Sequence, residues 1–215
     1  MPARKPNASK PFAEASSTRK TVSVPLEVLS SKVVFRGRVF DVTRDKIREP
    51  NGITAVREII RHSGSVVVLA LDETLDEPRV LLERQYRYAA QDYLLELPAG
   101  RIDPGETALA AGKRELLEET GYTARRWKKA LFFYPSPGFL EETMTIFLAR
   151  ELKPGSAQPE PDEKIEHDLV PLSTALRFIL SGQIRDGKTL VGLLWATQLF
   201  APHLIQRVGL PSFRR

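Results

Sequence analysis

The sequence predicts an α/β fold in which helices pack on a mixed β-sheet, with a small antiparallel β unit before it. Residues 32–62 alternate apolar and polar side chains around an Asn-Gly pair, which is a strong hairpin-turn signal. Residues 65–71 are wholly apolar, which is typical of a strand buried on both faces of a sheet. Residues 107–120 contain no proline and favour a helix. Strands alternating with helices predict a layered α/β arrangement.

Further elements follow along the chain. Strands are predicted at 79–87, from 131, at 142–150 and at 165–172, and helices at 173–180 and 188–204. Ser173 is the predicted N-cap of the first of these helices, because its hydroxyl can accept a hydrogen bond from the first turn. Gly121 is the predicted stop of the helix at 107–120. The segment 97–106 and the proline-rich, acidic segment 153–164 are predicted to be loops.

The chain divides into three predicted parts. Residues 1–28 are rich in proline, serine, alanine and basic residues, so we expect a flexible tail. Residues 29–62 form a predicted N-terminal β subdomain, and residues 63–205 form the predicted main domain. A chain of 215 residues is long enough for one domain with a small appendage and a real core.

The composition excludes several classes of protein. Without cysteine the chain has neither disulfides nor a zinc–thiolate site. No apolar run approaches the roughly 20 residues that span a bilayer, and the first residues lack the apolar centre of a signal peptide. We therefore expect a cytoplasmic protein with no membrane partner.

The net charge of +5 is mild for this length. Much of the excess lies in two tails, at 4–20 and 207–215, and no recognisable nucleic-acid-reading element accompanies it. Nucleic acid is therefore disfavoured as the main partner. Scattered arginines suit an anionic small molecule equally well.

Three glutamates converge on one face of the predicted helix. Glu115, Glu118 and Glu119 are spaced so that they fall on one arc, where their like charges repel. A cation would relieve that repulsion, and hard oxygen ligands select Mg²⁺, with Mn²⁺ as a substitute. The alternative is a plain solvated helix face. The adjoining turn at 97–100, whose carbonyls could add a ligand, favours the metal site.

The segment Gly100–Tyr122 resembles the Nudix box, in which G, five residues, E and seven residues precede R-E-aliphatic-x-E-E-x-G-hydrophobic. Every fixed position is matched, by Gly100, Glu106, Arg114, Glu115, Glu118, Glu119 and Gly121. Tyr122 stands where an aliphatic residue is commoner. The resemblance extends to about Phe200 and covers roughly 170 residues, with the N-terminal tail excluded. It implies an α/β/α sandwich and Mg²⁺-dependent hydrolysis of a nucleoside diphosphate linked to another group.

The resemblance also implies roles for the box residues. Glu115 and Glu119 would be the principal metal ligands, Glu118 would serve an additional ion, and the Ala99 carbonyl would be a further ligand. Arg114 would orient the glutamates through charge-assisted hydrogen bonds, with Glu106 in support. We count Arg114, Glu118 and Glu119 among the catalytic residues.

Features outside the box resemble the ADP-ribose pyrophosphatases of this family. Pro137 lies sixteen residues after Gly121, within a Ser-Pro-Gly sequence, although such a pair also marks ordinary turns. The N-terminal β unit resembles the subdomain that takes part in dimer formation and substrate binding. We therefore expect a homodimer that hydrolyses ADP-ribose to AMP and ribose 5-phosphate. The expected substrate-binding residues are Arg57, Glu58, Arg87, Pro137 and Gly138.

Each of these contacts has an alternative explanation. Arg87 could be an exposed strand charge, and Arg57 and Glu58 could form a cross-strand ion pair. Phe40 could stack on adenine, but a place in the core is the better expectation. His62 and His167 are expected to be ordinary surface or strand histidines.

At the expected general base the sequence departs from the pattern of the family. Relatives carry Glu-x-Glu before the last strand, as one base and one metal ligand, whereas this chain has Glu160, Pro161, Asp162 and Glu163. Glu163 matches the second glutamate and is our expected base and metal ligand. Glu160 or a box glutamate could act as the base instead, because a metal-bound water needs no strong base.

Three rival functions predict different features of the sequence. The same fold could act on another nucleotide sugar or dinucleotide, such as GDP-mannose or NADH. A nucleotide-sensing module without turnover is disfavoured by the intact box glutamates. An RNA-end processing enzyme would carry a broad basic groove, which the sequence does not suggest.

Overall fold

The computed structural model describes residues 26–157 and 164–202, which form two sheets and three helices. The strands are β1 (Glu27–Arg36), β2 (Asp41–Arg48), β3 (Thr54–Arg61), β4 (Ser65–Asp72), β5 (Arg79–Arg87), β6 (Asp92–Glu96), β7 (Ala99–Arg101), β8 (Thr123–Phe133), β9 (Met144–Lys153) and β10 (Ile165–Pro171). The helices are α1 (Ala108–Thr120), α2 (Leu172–Leu180) and α3 (Gly187–Phe200). Within the described residues no helix combines the length and apolarity that crossing a membrane would require.

The N-terminal sheet consists of β1, β2 and β3 in antiparallel order. The turn between β2 and β3 is closed by a hydrogen bond of 2.8 Å from the Glu49 N–H to the Ile53 carbonyl. Gly52 adopts a φ of 83° there, which explains the Asn-Gly signal. The first strand begins at Glu27, which pairs with Arg48, so the strand starts inside the segment predicted as tail.

The larger sheet has the order β10-β5-β4-β9-β8, with β6 added beside β5 and β7 beside β4. The pairing of β4 with β9 is parallel, and the other pairings are antiparallel, so the sheet is mixed. The segment predicted as a loop at 97–106 contains the short strand β7. That prediction was wrong for Ala99–Arg101, because pairing with β4, not composition, makes this segment a strand.

Helices cover both faces of this sheet. The side chains of Val67, Leu69 and Leu71 on β4 pack in one buried cluster with α2 and α3. The alternate side chains Val66, Val68 and Ala70 belong to clusters that include residues of α1. Because neighbouring strand residues face opposite sides, the apolar residues 66–71 of β4 serve two cores. The predicted α/β/α sandwich is confirmed.

The ends of the helices follow local chemistry. The hydroxyl of Thr107 accepts a hydrogen bond of 3.2 Å from the Ala110 N–H at the start of α1. Gly121 ends α1 with a φ of 72° and an N–H donated to the Leu117 carbonyl, as predicted. The prediction of Ser173 as an N-cap was wrong. The helix α2 begins at Leu172, and the Ser173 N–H instead donates to the Glu77 carboxylate.

Candidate metal and diphosphate site

A cavity of about 510 Å³ lies where α1 meets β7 and the end of β5. It is lined by Arg87, Ala99 and Gly100, by Arg114 and by the three glutamates of α1. The turn between β1 and β2 contributes Arg38 and Val39 to the rim. The carbonyl of Arg38 accepts a hydrogen bond of 3.2 Å from Arg101, which ties this turn to β7.

Arg114 is held by five hydrogen bonds. Its Nε and Nη2 donate to the two oxygens of Glu106 at 3.2 and 3.1 Å, and Nη2 also donates to the carbonyl of Arg101. Its Nη1 donates to Glu115 at 2.8 Å and to Glu118 at 3.1 Å. The hydrogen bonds from Arg114 lower the pKa of Glu106, so this carboxylate stays ionised. Arg114 therefore fixes the orientation of two box glutamates.

Glu115 and Glu119 lie against the backbone of β7. The Ala99 N–H donates to the Glu119 carboxylate at 3.2 Å, and the Glu119 side chain is nearly buried. A Cβ placed on Gly100 would come within 1.9 Å of a Glu115 oxygen. The glycine at this position of the box thus has a steric reason in this chain, since a larger residue would displace the Glu115 carboxylate.

A cluster of buried charges lies behind the cavity. Arg87 donates from Nε and Nη2 to the two oxygens of Glu96, each at 2.9 Å, and Lys188 from α3 reaches the same carboxylate. Burial disfavours the ionised form of Glu96, but the hydrogen bonds from Arg87 and the charge of Lys188 outweigh it and lower its pKa. The guanidinium of Arg87 is therefore held in place while its face remains open to the cavity.

Glu83 belongs to the same cluster and is fully buried opposite Glu96 in the β5–β6 pairing. Burial, followed by repulsion from Glu96, raises the pKa of Glu83 to about 8. Neither oxygen of Glu83 has a hydrogen-bond partner among the described residues. The cluster thus places two carboxyls and two cations directly behind the cavity.

The donor set suits a hard divalent cation, since carboxylate and carbonyl oxygens are its preferred ligands. Glu115, Glu118 and Glu119 line one cavity with Ala99. Within 26–157 and 164–202, however, no three acidic or histidine side chains converge tightly enough to enclose an ion. In this conformation Glu115 and Glu118 accept hydrogen bonds from Arg114, and Glu119 accepts one from the Ala99 N–H.

The expected substrate-binding residues separate into two places within one chain. Arg87 lies in the cavity of the box glutamates. Arg57, Pro137 and Gly138 line a different cavity of about 450 Å³ beside the N-terminal sheet. Arg57 forms an ion pair of 2.6 Å with Glu49 in this conformation.

Glu58 lines neither cavity and lies exposed on β3. It accepts two hydrogen bonds from Arg44, its direct cross-strand partner, at 3.0 and 2.7 Å. The alternative of a cross-strand ion pair thus describes this residue as the structure places it. The observed partner on β2 is Arg44.

Phe40, His62 and His167 lie outside both cavities or at their rims. The expectation that Phe40 lies in the core was wrong, because its side chain is 40% exposed and rests on Phe35 at the rim of the N-terminal sheet. His62 accepts a hydrogen bond from the Gly64 N–H, and His167 packs edge-on against Tyr122. His62 directly follows β3 and His167 lies within β10, so both are ordinary residues of the sheets.

Some predicted residues cannot be placed, and others were missed. Glu160 and Glu163 lie outside the described residues. The sequence reasoning missed Glu83, Glu96 and Lys188. A signal for Glu83 was present, because Glu83, Gln85 and Arg87 are spaced two apart in a strand and therefore fall on one face.

Comparison with known proteins agrees with this geometry. The Nudix domain model matches residues 61–190, and the model of the nucleoside diphosphate sugar hydrolase N-terminal domain matches residues 27–60. An ADP-ribose pyrophosphatase of Bacillus subtilis is 37% identical over 169 residues, covering 78% of this chain and 90% of the relative. An ADP-ribose pyrophosphatase of Mycobacterium tuberculosis is 34% identical over 173 residues, covering 78% of this chain and 81% of the relative.

A solved structure shares the fold. It is described as an ADP compounds hydrolase and superposes with a TM-score of 0.72 at 24% identity, covering 83% of this chain and 95% of that chain. The resemblance carried by the segment from Gly100 to Tyr122 is confirmed by the match of the domain model to most of the chain. This chain belongs to the Nudix family of hydrolases.

Proposed function

We propose that the chain hydrolyses the diphosphate of ADP-ribose to AMP and ribose 5-phosphate with the help of Mg²⁺. The observation that carries the proposal is the placement of Arg87 and the box glutamates in one cavity. A cationic side chain and a set of carboxylates across a cavity suit a diphosphate that is bound together with divalent cations. The names of the two relatives indicate ADP-ribose as the substrate. The proposal includes a cytoplasmic location.

The residues of the chain have distinct parts in this reaction. Glu115, Glu119 and the Ala99 carbonyl would hold a metal ion, and Glu118 an additional one. Bound metal would draw charge from the diphosphate and make a water nucleophilic at neutral pH. Arg114 keeps the glutamates aligned through its bonds to Glu106 and Glu115. Glu96 contacts two of the three guanidinium nitrogens of Arg87. The third nitrogen would donate a hydrogen bond to a phosphate oxygen.

A substrate panel tests the proposed function. Phosphate release coupled to phosphatase would be measured with ADP-ribose, GDP-mannose, NADH, diadenosine polyphosphates and capped RNA, with Mg²⁺, with Mn²⁺ and after chelation. We expect kcat/KM for ADP-ribose at least about tenfold above every other substrate, which is about 1.4 kcal/mol of preference. A higher value for another substrate would replace ADP-ribose, and a silent panel would favour the sensing module.

Arg87→Ala is expected to raise KM for ADP-ribose about 10-fold or more with kcat within about 3-fold of the wild type, because it removes binding shared by ground and transition states. Lys188 remains paired with Glu96, so the buried carboxylate keeps a cation. Arg87→Lys is the control that keeps the charge but loses the forked contact. A fall in kcat at unchanged KM would instead assign Arg87 to the transition state.

The base is tested by a matched pair of variants. Glu163→Gln is expected to lower kcat about 10-fold, a modest loss because a metal-bound water needs only weak assistance. Glu160→Gln is expected to change kcat by less than about 2-fold, within the range of a surface substitution. A larger loss in Glu160→Gln would transfer the role of base to that residue. Two near-normal variants would point to a box glutamate.

We further propose that the chain is a homodimer. The N-terminal sheet exposes large apolar side chains, including Val28, Phe35 and Val56, and a monomer rarely exposes a large apolar patch without a partner. A second chain could also bring the cavity of Arg57 and Pro137 toward a box cavity. Light scattering during size-exclusion chromatography should give twice the chain mass of 24.2 kDa. A fully active species of the single-chain mass would contradict the dimer.

A further inference from the structure

The segment 134–143, between β8 and β9, is joined to the N-terminal sheet. The Ile60 N–H on β3 donates to the Phe139 carbonyl at 2.8 Å, and the Ile60 carbonyl accepts a hydrogen bond of 2.9 Å from the Glu141 N–H. These two bonds form a parallel β-bridge beside β3. The Pro137–Gly138 turn therefore takes its place from the N-terminal sheet as well as from the two strands that flank the segment.

Arg61, the last residue of β3, adds a side-chain connection next to this bridge. Its Nε donates to the Thr43 hydroxyl at 3.1 Å and its Nη2 donates to the Asp45 carboxylate at 2.5 Å, both on β2. Its Nη1 donates to the Glu141 carboxylate at 3.0 Å. A planar guanidinium can serve three acceptors at once because its donors point in fixed directions. Arg61 thus joins two strands of the N-terminal sheet to the segment that carries Pro137.

The two ends of this connection are held differently. Asp45 is nearly buried and also accepts a hydrogen bond of 2.6 Å from the Ser31 hydroxyl, so it fixes the guanidinium against the sheet. The side chain of Glu141 is 49% exposed. Because exposed ion pairs add little to the free energy of unfolding, the contact between Arg61 and Glu141 suits a role in position better than a role in stability.

We propose that Arg61 is a positioning residue, which acts through Glu141 and sets the place of the Pro137–Gly138 turn for substrate binding. All of these residues line the same cavity of about 450 Å³. The inference rests on the proposed function, because it takes Pro137 and Gly138 as contacts of the substrate. Arg61 does not line the cavity of the box glutamates. Loss of its contact with Glu141 should therefore weaken substrate binding and leave the chemical step almost unchanged.

The test compares Arg61→Gln, Glu141→Ala and the double variant in the full chain. KM and kcat for ADP-ribose would be measured by coupled phosphate release with Mg²⁺, and the melting temperature in parallel. Each single variant should raise KM about 10-fold with kcat within about 3-fold of the wild type, because a misplaced group weakens binding shared by ground and transition states. Glu141→Ala leaves the bonds from Arg61 to β2 in place, so its melting temperature should not fall. The double variant should match the single variants in KM, because both remove one contact.

Glu73→Ala is the matched control. It removes the carboxylate of another Glu–Arg ion pair, with Arg150, at a place that lines neither cavity, so KM and kcat should stay at wild-type values. A rise in KM in Arg61→Gln alone would mean that the guanidinium contacts the substrate directly and would overturn the positioning role. Increases that multiply in the double variant, or a lower melting temperature at unchanged KM, would also overturn it. A wild type that does not turn over ADP-ribose would refute the proposed function itself, and the inference with it.

Discussion

Glu119→Gln is expected to lower kcat for ADP-ribose by about 1000-fold, because it removes a principal ligand of the metal that the reaction needs. A bound metal contributes several kcal/mol of charge stabilisation in the transition state, and each 1.4 kcal/mol is a factor of about ten in rate. Turnover would be measured by coupled phosphate release at saturating Mg²⁺. The melting temperature should stay close to that of the wild type, since glutamine keeps the volume of this nearly buried side chain.

Glu166→Gln provides the matched control. It makes the same chemical change on β10, where the side chain is exposed and its contact with Arg84 is long at 3.5 Å. Exposed ion pairs contribute little, so kcat and the melting temperature should both remain at wild-type values. Near-normal turnover in Glu119→Gln would remove Glu119 from the metal site. Loss of turnover with a collapse of the melting temperature would make its role structural.

The fold follows closely from the sequence where one signal dominates. The apolar run of β4 predicts a strand buried on both faces, and the structure divides its side chains between two cores. The end of α1 at Gly121 is equally clear, because the left-handed backbone there favours glycine. The strand β7 was missed since only pairing with β4 defines three residues as a strand. The start of β1 at Glu27 was missed because its composition resembles that of the tail.

The box also predicts which side chains gather around one cavity, because its spacing fixes one face of a helix. Glu115, Glu118 and Glu119 line that cavity together. The layer behind it could not be predicted in the same way. The place of Glu83 opposite Glu96, and the reach of Lys188 from α3 to Glu96, depend on strand register and on the packing of a helix against the sheet. Such tertiary pairings have no fixed spacing in the sequence.

The substrate-binding residues show a different limit. Arg87 reaches the box cavity from the end of its own strand, whereas Arg57 and Pro137 line a cavity beside the N-terminal sheet. A sequence motif indicates which residues contact the substrate. It does not show whether they act in the site of their own chain or in the site of a second chain. In the proposed dimer, residues that line separate cavities within one chain would come together from two chains.

Gly100→Ala is expected to lower kcat by about 100-fold, as a misplacement of about 1 Å among catalytic groups does. The added Cβ would stand 1.9 Å from a Glu115 oxygen and 2.0 Å from its carboxyl carbon, so the carboxylate must move. Gly100 does not adopt a positive φ, which means that the backbone accepts alanine without strain. Coupled phosphate release would give kcat, and Mn²⁺ titration would give the affinity, which should fall with it.

Gly187→Ala is the control for this substitution. Gly187 begins α3, has no atom within 4 Å of the added Cβ and lacks a positive φ, so kcat should be unchanged. A Gly100→Ala variant that melts like the wild type but turns over slowly would show that this glycine is required for the place of Glu115 rather than for the fold. If the variant kept normal turnover and Mn²⁺ affinity, Glu115 would be free to move without loss. The metal would then depend on the other glutamates of α1.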